Sequence, residues 1–100
     1  MDGQMSKLRT LEETETFQQQ ALEIGNPKVI DEALFALTCA LAQRADVYPV
    51  VTGMKRLRVA KTYPREATGL PGLKVWFVII DEDRVELRSI TILDPGELED

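Results

Sequence analysis

Residues 73–93 read LKVWFVIIDEDRVELRSITIL, two strand-like runs joined by a charged turn. In the first run Leu73, Val75, Phe77 and Ile79 alternate with Lys74, Trp76, Val78 and Ile80. Alternation with a period of two specifies a strand, and two largely apolar faces specify one in the middle of a sheet. Asp81-Glu82-Asp83-Arg84 reverses the chain, and Val85 to Leu93 returns as the second arm of a hairpin. Along that arm Val85 and Leu87 share one face, whereas Ile90 and Ile92 share the other. A bulge or twist at Ser89 is therefore expected, where the inward side changes.

Upstream of the hairpin, Leu57 and Val59 alternate with Arg56 and Arg58. This predicts a third strand with the two aliphatic residues facing the core and the arginines facing out. Between the strands, YPREATGLPG (63–72) holds two prolines and two glycines and reads as a loop. The first half of the chain has a different period. Thr14 is placed to cap a helix running to about Ile24, with Phe17, Ala21 and Ile24 on one side. Gly25-Asn26-Pro27 then breaks the chain and starts a second helix, because Gly ends helices, Asn caps them and Pro fits the first turn. From Pro27 to about Arg44, Ile30, Leu34, Leu37 and Leu41 mark the inward stripe, broadened by Val29, Ala33, Ala36 and Ala40. Ahead of both helices, KLRTLE (7–12) reads as a short strand contributing Leu8 and Leu11.

The order β-α-α-β-β-β, with helices first and strands clustered later, specifies an α+β fold of two layers. A helical hairpin is expected to pack on a mainly antiparallel sheet of about four strands. One hundred residues suit a single domain, 1–100, and the acidic segment 95–100 is expected to fray. Hydrophobic content of 44% and charged content of 29% are ordinary for a soluble globular protein. The apolar run from Ala33 to Ala42 is about half the ~20 residues that a membrane span needs, and MDGQMSK lacks the apolar stretch of a signal peptide. These features and a single cysteine point to the reducing cytoplasm. Cys39, inside ALFALTCALA, is expected to be a small buried hydrophobe.

Absence narrows the chemistry. The chain has no histidine, which excludes His-based zinc sites and His-dependent nucleophilic triads. It has no glycine-rich phosphate loop, and the acids of DEDR read as a solvated turn rather than a metal cluster. No metal or cofactor is therefore expected. What remains is a concentration of positive charge. The net charge is −5. Yet the stretch from Lys55 to Lys74 carries Lys55, Arg56, Arg58, Lys61, Arg65 and Lys74 against Glu66 alone. Arg56, Arg58, Lys74, Trp76 and Arg88 are expected to line one side of a twisted sheet. Arginine grips phosphate in two-point fashion and an indole stacks on a base, which is the equipment of a single-stranded RNA site. A row of solvated cations on a strand accounts for the same pattern, and an acidic protein is an unusual nucleic-acid binder.

Three segments carry a resemblance: IDEALFALTCALAQ, MKRLRVAKTY and GLKVWFVIIDEDRVELRSI. Together with the element order they resemble the RelE/ParE superfamily of bacterial toxin–antitoxin toxins over nearly the whole chain. The most characteristic part is Gly72-Leu73-Lys74-Val75-Trp76 opening the central strand, followed by Val85-Glu86-Leu87-Arg88-Ser89-Ile90. The resemblance implies a RelE-like fold and a cytoplasmic toxin held by a cognate antitoxin. For the RelE branch it implies a metal-independent endoribonuclease that cleaves messenger RNA on the ribosome. Arg58, Lys61 and Lys74 would then be catalytic, and Lys55, Arg56, Arg65, Trp76 and Arg88 would bind the RNA. The ParE branch instead implies inhibition of DNA gyrase, and a non-catalytic relative would bind only an antitoxin. A homodimer stays open under each. The final stretch, TILDPGELED, lacks the Arg and Tyr that many RelE-like toxins carry there.

Overall fold

The computed structural model of the chain describes residues 8–65 and 67–94. The lysine at position 7, Glu66 and the acidic segment 95–100 lie outside the described residues. The elements run in the order β1 (Thr10–Glu13), α1 (Glu15–Ile24), α2 (Pro27–Arg44), a 3-10 turn (Ala45–Val47), β2 (Leu57–Lys61), β3 (Leu73–Ile79) and β4 (Arg84–Ile92). They form an α+β architecture of two helices and a four-stranded mixed sheet, ordered β1-β4-β3-β2. β2, β3 and β4 are antiparallel neighbours, while β1 joins the outer side of β4 in parallel.

The helix boundaries follow from their caps. Thr14 Oγ1 accepts from the Phe17 N–H at 3.1 Å, and Asn26 Oδ1 accepts from the Lys28 N–H at 2.8 Å. Each satisfies a first-turn donor that the helix itself leaves open. The four inward positions of α2, Ile30, Leu34, Leu37 and Leu41, are all buried. They pack with Phe17 of α1 against Leu73, Val75 and Phe77 of β3 and Val85, Leu87 and Ile90 of β4. Burying one such large side chain contributes about 1.5–3 kcal/mol, so this single cluster dominates the stability.

The anticipated bulge lies one residue earlier than Ser89. Trp76 pairs with Ser89, but Phe77 pairs with Leu87, so Arg88 is the inserted residue. α1 secures the irregularity from both sides. The Thr14 N–H donates to the Leu87 carbonyl at 3.1 Å. Gln20 Oε1 accepts from Ser89 Oγ and from the Ile90 N–H, both at 2.9 Å. The Leu87 carbonyl and the Ile90 N–H lie on the β1 side of β4 next to the bulge, and where β1 ends they find partners on Thr14 and α1.

Four expectations are corrected. Leu57 and Val59 do not face the helices: the register pairs Leu57 with Val78 and Val59 with Trp76, on the opposite face. Ala60 and Arg58 take the helix side instead, opposite Val75 and Phe77. The helix side is closed there by Tyr48, which follows the 3-10 turn and sets its ring edge-on to Phe77, centroids 5.9 Å apart. On this closed side the strand carries Ala60, 2% exposed, while Leu57 and Val59 stay partly open on the other. Cys39 is exposed rather than buried. It stands two residues from Leu37, about 200° around a helix of 3.6 residues per turn. Val29 and Ala36 also lie outside the buried stripe. Leu8 is exposed, leaving Leu11 as the residue of that segment that packs on the core. No helix among the described residues is long and apolar enough to cross a membrane.

Candidate anion-binding face

The face of the sheet opposite the helices is built from alternate residues of three strands. Lys61, Val59 and Leu57 of β2 lie in register with Lys74, Trp76 and Val78 of β3. Thr91 and Ser89 of β4 pair with Lys74 and Trp76 from the other side. The segment before β2 turns at Gly53, whose φ of +83° suits glycine, and brings Met54, Lys55 and Arg56 to the same face. Between this segment and the strands lies an open trough of about 720 Å³. Leu57, Val78 and Met54 give it an apolar floor and wall, and Lys55, Arg56, Trp76 and Arg88 give it cations and an indole.

Each of these polar groups is held by local structure. One terminal nitrogen of Arg56 donates to the Ile79 carbonyl at 2.8 Å, which anchors the side chain across the end of β3. A guanidinium has five N–H donors, so this single bond leaves others for a ligand. Lys74 Nζ sits 5.2 Å from the centre of the Trp76 ring, within cation–π range. Arg88 owes its position to the bulge and is paired with Glu86. That pair is partly exposed, and an ion pair open to solvent contributes little to stability.

The eight residues expected to form the site do not all meet. Lys55, Arg56, Trp76 and Arg88 converge on the trough, and Lys74 lies against Trp76. Lys61 pairs with Lys74 in register at the end of β2. Arg58 is on the other face of the sheet, donating to the carbonyls of Tyr48 at 2.5 Å and Asp46 at 3.2 Å. Its role here is to tie the segment after α2 to the edge strand. Arg65 sits in the 63–72 loop and lines a separate depression beside α2. Sequence reading missed Met54, Ser89 and Thr91 as lining residues. The signal available for Met54 was the Thr52-Gly53 pair, which marks a turn that folds the chain back.

At the β3–β4 turn, Asp81 Oδ1 accepts from the Asp83 N–H at 2.8 Å, and Arg84 reaches Asp81 at 3.5 Å and Glu12 at 3.7 Å. The Asp83 N–H, reinforced by the Arg84 charge, holds the Asp81 carboxyl below the usual aspartate range, against a smaller opposing effect of desolvation. Among the described residues no three His, Cys, Asp or Glu side chains gather as a metal site. No family model and no curated protein matches the chain.

Proposed function

We propose that this chain is a RelE/ParE-type toxin that lays a single strand of messenger RNA along the outer face of its sheet in the ribosomal acceptor site. The observation that carries the reading is the convergence of Lys55, Arg56, Trp76 and Arg88 on one open trough, on the face that the helices leave uncovered. An anionic strand needs cations along its backbone and a flat surface for a base, and this face offers both. The likeness of GLKVWFVIIDEDRVELRSI to the family's central hairpin supplies the toxin identity. This reading entails a cytoplasmic protein restrained by a cognate antitoxin.

In the cleavage step the ribose 2′-oxygen bonds to the adjacent phosphorus and the bond to the 5′-oxygen breaks. The 2′-hydroxyl loses a proton and the 5′-oxygen gains one. Negative charge grows on the phosphoryl oxygens, and fixed cations around them lower the barrier. Arg56 and Arg88 are the guanidinium groups on this face, with the Lys74 and Lys61 ammonium groups beside them. Arg58 is not in reach of that phosphate position, because it is bound to the Tyr48 and Asp46 carbonyls on the far side of the sheet.

That same displacement of Arg58, with the missing Arg and Tyr after β4, favours a second reading. In it the face binds without cleaving, as in a ParE-like gyrase inhibitor or a relative that only engages an antitoxin. Induced expression tests both. Growth arrest with messenger cleavage on translating ribosomes supports the first. Arrest without cleavage, together with inhibited supercoiling by purified gyrase, supports the second. Normal growth on induction, with the protein folded and abundant, overturns the toxin identity.

A further inference from the structure

Proton acceptors are scarce on the outer face of the sheet. Charged lysine and arginine side chains donate and do not accept. The chain has no histidine. Tyr48 lies against Phe77 on the helix side, and Tyr63 borders the separate depression beside α2. Ser89 and Thr91 line the trough, but their hydroxyls are no more basic than the ribose hydroxyl they would have to deprotonate. Among the described residues the strands place two acids on this face, Glu86 of β4 and Glu12 of β1, in register with each other.

Glu86 is the acid beside the trough. It pairs directly with Val78, which lines the trough. Directly opposed residues of an antiparallel pair share a face, with Cβ atoms about 5 Å apart, so the carboxylate stands at the rim. Arg88, inserted at the bulge and itself a lining residue, donates from Nε to Glu86 Oε1. An ionised carboxylate has several lone pairs, and this bond uses one of them. The Glu86 side chain is 29% exposed, which leaves it open to a ligand. Glu12 stands one strand farther out and is paired with Arg84 at 3.7 Å.

We infer that Glu86 is the general base of the cleavage step, a role that rests on the reading of this face as an RNA-cleaving site. Held in place by Arg88, the Glu86 carboxylate takes the proton of the 2′-hydroxyl. As it does so, the 2′-oxygen bonds to phosphorus and the bond from phosphorus to the 5′-oxygen breaks. The 5′-oxygen takes a proton from a water molecule. The hydroxide left behind then recovers the proton from Glu86, which returns the carboxylate to its starting state. The messenger is left with a 2′,3′-cyclic phosphate on one fragment and a 5′-hydroxyl on the other.

The test starts with the full wild-type chain added to translating ribosomes that carry a messenger. No cleavage at this stage overturns the cleavage reading, and the role of Glu86 with it, before any variant is made. With an active wild type, Glu86→Gln keeps the shape and removes the base. It is expected to bind single-stranded RNA at least as tightly, because the face loses a negative charge, and to cleave on the order of 10²–10⁴-fold more slowly. Glu86→Ala should be as slow and should regain activity when acetate supplies a carboxylate from solution. Glu12→Gln should cleave as the wild type does. Chemical denaturation checks that each variant is folded. Should the neutral variants fail to fold, Glu86→Asp decides, since its shorter carboxylate is expected to slow cleavage and wild-type speed there overturns the assignment. Cleavage by folded Glu86→Gln at close to the wild-type rate overturns it too and leaves the RNA reading intact. So does a loss of RNA binding in step with the loss of cleavage, or a Glu86→Ala protein that acetate does not revive.

Discussion

The two faces of the central strand, both largely apolar, are put to opposite ends. Leu73, Val75 and Phe77 point beneath the helices and are almost fully buried. Trp76 and Lys74, between them, look the other way and are half-buried, with Trp76 lining an open trough. The same division runs through β2, where Arg58 serves the packed side by binding carbonyls and Arg56, just before the strand, serves the open side. Residue type therefore does not tell which side of this sheet carries function. Register does, because a shift of one residue exchanges the two sets.

The sharpest way to break this contrast is to truncate one aromatic residue on each face. Phe77→Ala should cost about 3–5 kcal/mol in chemical denaturation, since it opens a cavity against Tyr48 and the helices. Trp76→Ala should cost much less and should instead abolish binding of a short single-stranded RNA. Comparable destabilisation by both would mean that the outer face is also core. Next in size is the arginine pair. Arg58→Ala should lose about 1–2 kcal/mol of stability and leave RNA affinity unchanged in the folded protein. Arg56→Ala combined with Arg88→Ala should do the reverse, weakening RNA binding on the order of tenfold at low salt with little change in stability.

Smaller again is Gln20→Ala, expected to cost about 1–2 kcal/mol because Ser89 and Ile90 lose their acceptor at the bulge. If Arg88 depends on that bulge for its position, the same variant also weakens RNA binding. The least effect belongs to the hairpin turn. Asp81 has a lowered pKa, so it contributes stability above the ordinary aspartate range and loses it as pH falls through the lowered value. Asp81→Asn should flatten the small loss of stability expected below about pH 4. An unchanged acid limb would assign that loss to other carboxylates.

Much of the architecture was legible in the sequence. Thr14, Gly25, Asn26 and Pro27 mark the helix ends through local chemistry, and Ile30, Leu34, Leu37 and Leu41 mark the buried stripe through period alone. The change of side between Leu87 and Ile90 announced the bulge. The phase of β2 was not legible, because Leu57-Arg58-Val59-Ala60 alternates whichever side faces inward, and its register is fixed by pairing with β3, which is remote in sequence. Cys39 misled for a related reason: an apolar run on a helix always includes positions that turn outward. At the outer-face trough, residue types pointed to Trp76, Arg56 and Arg88, but only the register separates Arg58 from them, while Arg65 stands apart in the 63–72 loop.

Trp76 is the chain's single tryptophan, so the emission of the native protein reports on the outer face alone. Titration with a short single-stranded RNA should quench it saturably at low salt. The quenching should disappear at high salt and in the Arg56→Glu, Arg88→Glu protein, and persist in folded Arg58→Ala. Emission unmoved by RNA, or quenching indifferent to both salt and those two arginines, would contradict the account.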